Sequence, residues 1–224
     1  MPRQTISVFA SLHRVFGRGL ARRLVIAFLG VCTAPLAAAG WVLDGERSAL
    51  QFMSVKNTHI AEIHHFKALS GSIDDAGQAR VVIDLESVET LIPIRNQRMR
   101  ELLFKTLRFP AATLSARTPA GIETLAAGET LSAQMSVGVN LHGIVAPYQT
   151  RIHATRLADG GVQVTLAQPV LVRATDFALT EGIEALREIV GLQSISTAVP
   201  VTATLVFVAD GDQPHPRAHP RAAP

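Results

Sequence analysis

Cysteine is almost missing from this 224-residue chain, whose single copy is Cys32. That residue lies within the first forty residues, a segment that we predict to be removed. The rest of the chain can then form no internal disulfide, bind no zinc through thiolates and use no thiol nucleophile. A domain of this size buries enough apolar surface to fold without such cross-links.

Charged residues are also scarce, at 17 % of the chain, and the positive ones are unevenly distributed. Five arginines precede residue 24, whereas the first acidic residue is Asp44. From residue 41 onward, 16 basic residues stand against 18 acidic ones. A domain with this balance has no electrostatic attraction for nucleic acid, so we predict no nucleic-acid partner.

Sequence motifs of several enzyme classes are absent as well. The chain contains no Gly-x-Ser-x-Gly turn, no Gly-x-x-x-x-Gly-Lys phosphate loop and no Gly-x-Gly-x-x-Gly fingerprint. Serine-histidine-acid catalysis and nucleotide-dependent chemistry therefore have no support, although no spacing rules out a pair of catalytic carboxylates. We predict that the protein is not an enzyme and has no cofactor.

The first 39 residues have the three parts of an export signal. Residues 14–23 are positively charged, residues 24–33 are apolar, and Ala37 and Ala39 are small residues suited to cleavage before Gly40. We predict a signal peptide over residues 1–39, a periplasmic location and no stable membrane span after processing, with an uncleaved anchor as the alternative. The sequence does not distinguish Sec from twin-arginine export. Residues 210–224 are rich in proline and predicted to be disordered, which leaves one domain over 40–209.

The body of this domain alternates between apolar and polar residues with a period of two, which is typical of strands with one buried face. Turn residues at 74–77, 142–143 and 159–161 separate the alternating segments. Residues 95–104 and 180–189 break the pattern and have helical spacing, the second with Thr180 as a predicted cap. Many strands and two short helices indicate an all-β fold, a closed antiparallel β-barrel of about eight strands. The alternating apolar positions are Leu50, Phe52, Val81, Ile83, Leu85, Leu131, Ala133, Met135, Val137, Val139, Leu141, Val162, Val164, Leu166, Val201, Ala203, Leu205 and Phe207.

Short motifs in a fixed order make the chain similar to the YceI-like family. They are Trp41-Val42-Leu43-Asp44, Ser48 to Phe52, Phe66 to Ile73, Ser87-Val88-Glu89-Thr90, Arg95, Phe109-Pro110, Leu141-His142-Gly143 and Arg173 to Phe177. The resemblance covers residues 41 to about 208. It implies a lipocalin-like barrel, exported from the cytoplasm, that binds a polyisoprenoid or an isoprenoid quinone.

The resemblance favours a hollow barrel, a point that alternation alone leaves open. We therefore predict a non-enzymatic protein that binds an apolar, chain-like lipid, and we leave its oligomeric state open. The predicted lipid-binding pocket is formed by Leu50, Phe52, Phe66, Val81, Ile83, Leu85, Phe104, Val137, Val139, Leu141 and Phe177. A filled barrel that serves as an envelope interaction module is one alternative.

A histidine-rich stretch provides the other alternative, a metal- or haem-assisted envelope enzyme. It contains His59, Glu62, His64 and His65. On a strand, Glu62 and His64 share one face while His59 and His65 share the other, so three zinc ligands do not converge. We therefore predict no metal.

Two arginines are candidates for contacts with a lipid head group at the barrel mouth. Arg95 and Arg173 could point toward such a group, or they could pair with Glu89 and Asp176 and hold a helix or corner in place. The sequence favours neither interpretation.

Overall fold

Antiparallel strands and two short helices make up residues 40–210, the part of the chain that the computed structural model describes. The predicted signal peptide and the predicted tail after residue 210 lie outside the described residues. The strands are β1 (Trp41–Leu43), β2 (Ala49–Lys56), β3 (Ile60–Phe66), β4 (Leu69–Ile73), β5 (Gln78–Asp84), β6 (Val88–Glu89), β7 (Ala111–Arg117), β8 (Thr130–Leu141), β9 (Ile144–Arg156), β10 (Val162–Leu166), β11 (Val170–Arg173) and β12 (Ala198–Ala209). The helices are α1 (Pro93–Arg98) and α2 (Thr180–Ile189).

Eight of these strands close into a ring. Their order is β1-β4-β5-β7-β8-β9-β10-β12, and β12 pairs back onto β1 through Val42 and Val208. The other half of β12 pairs with β2 and β11, and β2 continues the sheet through β3 to β6. This architecture confirms the predicted closed barrel of eight strands with two helices.

The alternation of the sequence explains the position of the core. Residues at every second position of β5, β8 and β12 face the barrel interior, as one-sided burial of a pleated strand requires. One predicted strand position is wrong: β5 ends at Asp84, whose carboxylate accepts a hydrogen bond from the Glu86 amide and starts a 3₁₀ turn over Leu85–Ser87. Leu85 is nevertheless buried in the core.

The predicted turns join neighbouring strands. Residues 74–77 connect β4 to β5, and Gly160 lies between β9 and β10. At the tip of the β8–β9 hairpin, His142 and Gly143 have φ values of 55° and 80°. Consecutive positive φ values match the twist of a tight hairpin, and glycine adopts them at little cost.

Both helices lie at the same end of the barrel, which we call the helical end. After α1 the chain continues in a π-helical segment, Met99–Phe104, which finishes at Lys105 with φ 50°. The two helical regions meet at Gly182: a Cβ atom there would lie 2.7 Å from the Leu102 carbonyl oxygen. A glycine is therefore required for this contact.

The predicted threonine cap of α2 is wrong. Thr180 is already the first helical residue, and the cap position belongs to Leu179, which has no side-chain hydrogen bond to offer. The buried Leu179 instead packs with Ile183 one turn later, so apolar contact takes the place of a polar cap. Within residues 40–210, no helix has both the length and the apolar character needed to cross a membrane.

Candidate apolar binding site

A cavity of about 280 Å³ lies inside the barrel. Its accessible surface is contributed by apolar atoms, and nearly every strand of the ring supplies part of the wall. The predicted pocket residues that line it are Leu50, Phe52, Phe66, Val81, Ile83, Leu85, Phe104, Val137, Val139 and Leu141. The barrel is therefore hollow, at about the lower end of the size range of small-molecule pockets.

Phe177 was predicted to line the pocket, but the structure places it behind the wall. Its side chain is 0 % exposed and packs with Leu179, Ile183 and Ala174 in a separate cluster. A 3₁₀ turn over Ala174–Phe177 folds back against β9 and seals the outside of the barrel there. The aromatic pattern identified a buried residue but could not tell which side of the wall it occupies.

Tyr148 forms part of the wall in front of Phe177, and the sequence analysis did not find it. The two rings stack with centroids 6.2 Å apart, and the Tyr148 hydroxyl donates to Asp176 Oδ2 at 2.8 Å. Burial, reinforced by this bond, raises the pKa of Tyr148. The phenol thus turns its polar end away from the cavity and its ring toward it.

Other wall residues were also missed, among them several on β7 and β9. Tyr148, Thr150 and Ile152 follow a period of two along β9, and Ala112, Leu114 and Ala116 do the same along β7. Small and polar members weaken the apolar alternation of both segments. The periodicity itself, without regard to hydrophobicity, is the signal that could have identified them.

Three phenylalanines form a continuous aromatic wall toward the helical end. Phe52 and Phe66 have ring centroids 5.4 Å apart, and Phe66 and Phe104 have centroids 5.9 Å apart. Such offset contacts add stability beyond burial alone. Phe104 thereby connects the π-helical segment to the barrel wall.

A polar cluster continues the inner face of β2 and β3 beyond this aromatic wall. Glu62 Oε2 accepts from Arg95 Nη1 at 2.6 Å and from Lys56 Nζ at 2.7 Å. Burial opposes ionisation of Glu62, but the hydrogen bond from Lys56 and the charge of Arg95 outweigh it and lower its pKa. The cluster fixes α1 to the barrel, since Arg95 also donates to the Thr90 carbonyl at 2.6 Å.

Of the two head-group candidates, Arg95 holds helix α1 in place, and it does so through an ion pair with Glu62 and not with Glu89. The carboxylate of Glu89 is occupied by Lys67 and by Asn96, which donates to it at 2.9 Å. The hydrogen bonds from Lys67, Asn96 and the Leu91 amide lower the pKa of Glu89 to about 2. Neither Arg95 nor Arg173 lines the cavity.

Arg173 is exposed at the end of β11. Its neighbours Val170 and Val172 line the cavity, so alternation directs Arg173 outward. Asp176, its suggested partner, is instead bound to Tyr148.

His64 is the buried member of the histidine-rich stretch. It is 3 % exposed, its Nε2 atom is hydrogen bonded to Ser54 Oγ at 2.9 Å, and its ring meets Phe52 edge-on. Burial, together with the positive charge of Arg95, lowers the pKa of His64 to about 4. At neutral pH this histidine is therefore an uncharged, buried side chain beside Phe52.

The remaining histidines of the stretch diverge from His64. The segment is strand β3, as predicted, so His64 and Glu62 share one face while His65 lies on the other and His59 is exposed at the preceding turn. Within residues 40–210, no three histidine, cysteine or carboxylate side chains are grouped as metal ligands.

The low pKa of His64 predicts a stability change with pH. In the unfolded chain the pKa of this histidine is near 6.5, whereas in the folded protein the side chain stays unprotonated down to about pH 4. Acidification through this window therefore lowers the free energy of unfolding, by an amount on the order of 2 kcal/mol. Urea unfolding at about pH 7 and about pH 5 measures the loss.

His64→Gln provides the control for this prediction, because glutamine is polar and does not titrate. We expect the variant to be less stable at neutral pH but to lose much less stability on acidification. An equal loss in the variant would show that another group is responsible.

The chain is similar to known proteins in both sequence and structure. The model of the YceI-like domain family matches residues 41–207. A polyisoprenoid-binding domain from Saccharophagus degradans, described as implicated in plant cell wall breakdown, has 40 % sequence identity and a TM-score of 0.75, with 76 % of this chain and 99 % of that domain covered. BcnA from Burkholderia cenocepacia has 16 % identity and a TM-score of 0.56, with 73 % of this chain and 98 % of BcnA covered. The two proteins are therefore similar in fold alone. No curated protein matches this chain at a significant level. The extent of the domain match and the identity to the Saccharophagus domain place this chain in the YceI-like family.

Proposed function

We propose that this protein binds an apolar, chain-like lipid, a polyisoprenoid or an isoprenoid quinone, inside its barrel. The observation that carries the proposal is the hollow interior with its apolar wall. A solid core would have supported the alternative of a filled interaction module. A void of about 280 Å³ in an otherwise tightly packed domain is unfavourable unless a ligand occupies it.

The chemistry of the wall supports a lipid over a polar ligand. Each methylene group that moves from water into such a cavity contributes roughly 0.8 kcal/mol, so a long chain binds well without polar contacts. A polar ligand would lose its hydrogen bonds to water and find few replacements. The Saccharophagus domain, which is named for polyisoprenoid binding, supports the same ligand class.

The proposal includes a role as a binding protein outside the cytoplasm. The signal-like residues 1–39 support export to the periplasm, and the divergent faces of His64 and His65 on β3 support a structural role and not a catalytic centre. A metal- or haem-assisted enzyme would need ligands that converge on one point.

Native mass spectrometry of the protein purified from the envelope of its own organism tests this function. We expect a fraction with added mass that is released by organic extraction and identified as an isoprenoid chain. The same protein expressed where isoprenoid synthesis is depleted serves as the control and should lack most of that mass. Protein with only its polypeptide mass in both preparations would contradict the proposal.

A further inference from the structure

Exposed apolar side chains are concentrated at the helical end of the barrel. Leu91, Ile92 and Ile94 at the start of α1 are 86 %, 44 % and 51 % exposed, and Leu107 after the π-helical segment is 103 % exposed. The opposite end, which includes the turns at 74–77 and 157–161, contributes none of the exposed large apolar residues within 40–210. Apolar side chains exposed so completely over a short stretch mark an interaction site.

The same stretch is strongly basic, and we call residues 91–108 the basic segment. It holds five basic residues and one acidic residue, whereas the rest of the described chain has nine basic and sixteen acidic residues. Arg95, Arg100 and Lys105 pair with Glu62, Glu86 and Glu181. Arg98 and Arg108 form no ion pair with any residue in 40–210, and Arg108 lies exposed over the ring of Phe109. Positive charge is thus set beside apolar surface in a domain that is otherwise acidic.

The basic segment is also part of the cavity wall. Leu103 and Phe104 line the cavity from the segment that carries Leu107 and Arg108. A partner that covers the outside of this segment is therefore separated from the cavity by one layer of chain. A π-helical turn of this kind is often found at functional sites.

Charge complementarity decides between the partners. A second copy of this chain would bring its own Arg98 and Arg108 against the same two arginines, because a two-fold interface joins the same surface on both subunits. An anionic lipid surface attracts arginine and lysine side chains and also buries neighbouring leucine and isoleucine side chains at the boundary of its acyl region.

We propose that the basic segment docks the protein on an anionic phospholipid membrane. Arg98 and Arg108 contact the lipid phosphates, while Leu91, Ile94 and Leu107 enter the interface. The cavity wall at Phe104 then faces the membrane side of the molecule, so that a lipid chain has a short route between membrane and barrel. Docking does not require that the cavity holds a lipid.

Co-sedimentation of the purified protein with vesicles tests the proposal. The probes are vesicles of phosphatidylcholine alone and vesicles of phosphatidylcholine and phosphatidylglycerol in about a 2:1 ratio. We expect binding to the anionic vesicles and at least about tenfold weaker binding to the neutral ones, with the difference reduced by salt. Equal binding to both, or binding to neither, would overturn the proposal.

Three variants identify the surface involved. The double variant Arg98→Gln and Arg108→Gln and the double variant Ile94→Ser and Leu107→Ser should each weaken vesicle binding at least about tenfold. Arg117→Gln is the matched control, because Arg117 is exposed at the opposite end of the barrel, beside Gln78. Binding that is lost equally in the control would overturn the assignment to the basic segment, as would a change of oligomeric state in place of a change in vesicle binding.

Failure of vesicle binding can be distinguished from failure of ligand binding in the cavity. A Val139→Asp variant changes the cavity wall and leaves the basic segment intact, so it should still sediment with anionic vesicles. If no lipid is ever found in the cavity, the vesicle result stands on its own.

Discussion

Val139→Asp is expected to reduce retention of the apolar ligand by at least about 100-fold. Val139 lies on β8, lines the cavity, and pairs with Leu114 on β7 and Ala146 on β9. A carboxylate at this position faces an apolar interior, where the structure offers it no cation. The variant must either keep water around the charge, which excludes a hydrocarbon chain, or take up a proton, which leaves an unsatisfied polar group against that chain. Mass spectrometry of extracted lipid, normalised to folded protein by far-UV circular dichroism, measures the loss.

Asn140→Asp is the matched control, since the neighbouring side chain is exposed on the outer face of the same strand. It introduces the same group one residue along the chain and should leave ligand retention unchanged. Val139→Ala, which enlarges the cavity and keeps it apolar, should retain the ligand. Retention of lipid by folded Val139→Asp would show that the chain binds elsewhere.

Phe177→Ala should cost about 3–5 kcal/mol of the free energy of unfolding. The ring is fully buried between α2 and β9, so its removal leaves a hole that the closely packed surroundings cannot fill. Because Phe177 stands behind Tyr148 and outside the cavity, the folded fraction of the variant should still bind ligand. Urea unfolding of the ligand-free protein gives the stability, and extraction gives the ligand content.

Phe52→Ala provides the contrast for Phe177. Phe52 already borders the void, so its loss creates less new unfilled space, and we expect roughly half the loss of stability. Ligand content, however, should fall, since the ring is part of the wall. Similar stability losses for the two variants would mean that the cavity closes around Phe52 when empty.

The barrel could be predicted from the sequence because its physical cause is local. A strand with one face toward an apolar interior must alternate, and β5, β8 and β12 do so over most of their length. The tight turn at His142-Gly143 also depends on the conformational preferences of two adjacent residues. Such features need no knowledge of distant parts of the chain.

The cavity residues could be predicted only where a buried side chain also points into the barrel interior. Ten residues of alternating strands and aromatic positions line the cavity, but Phe177 is equally apolar and lies on the other side of the wall. The strand after residue 143 was missed because Thr150 interrupts its apolar pattern, although it faces the interior. The type of a residue predicts whether its side chain is buried. The side of the barrel wall on which that side chain lies depends on how the chain folds back.

Ion pairs between residues distant in the chain could not be predicted from the sequence. Arg95 joins Glu62, which is 33 residues away, although Glu89 is nearer in the chain. In the folded chain the carboxylate of Glu89 is bound by Lys67 and Asn96. Leu179 replaces the predicted cap Thr180 for a similar reason, because the packing of α2 against the π-helical segment determines where the helix begins.

Strand β12 determines when the fold can be completed during synthesis. It provides the pairing edges for β1, β2, β10 and β11, and its last residues join β1, the first strand of the described chain. The ring therefore cannot close until Ala209 has left the ribosome. Until then β1 and β10 keep open edges, and the chain depends on contacts of very long sequence separation, which form slowly. A barrel built in this way stays unclosed through most of its own synthesis.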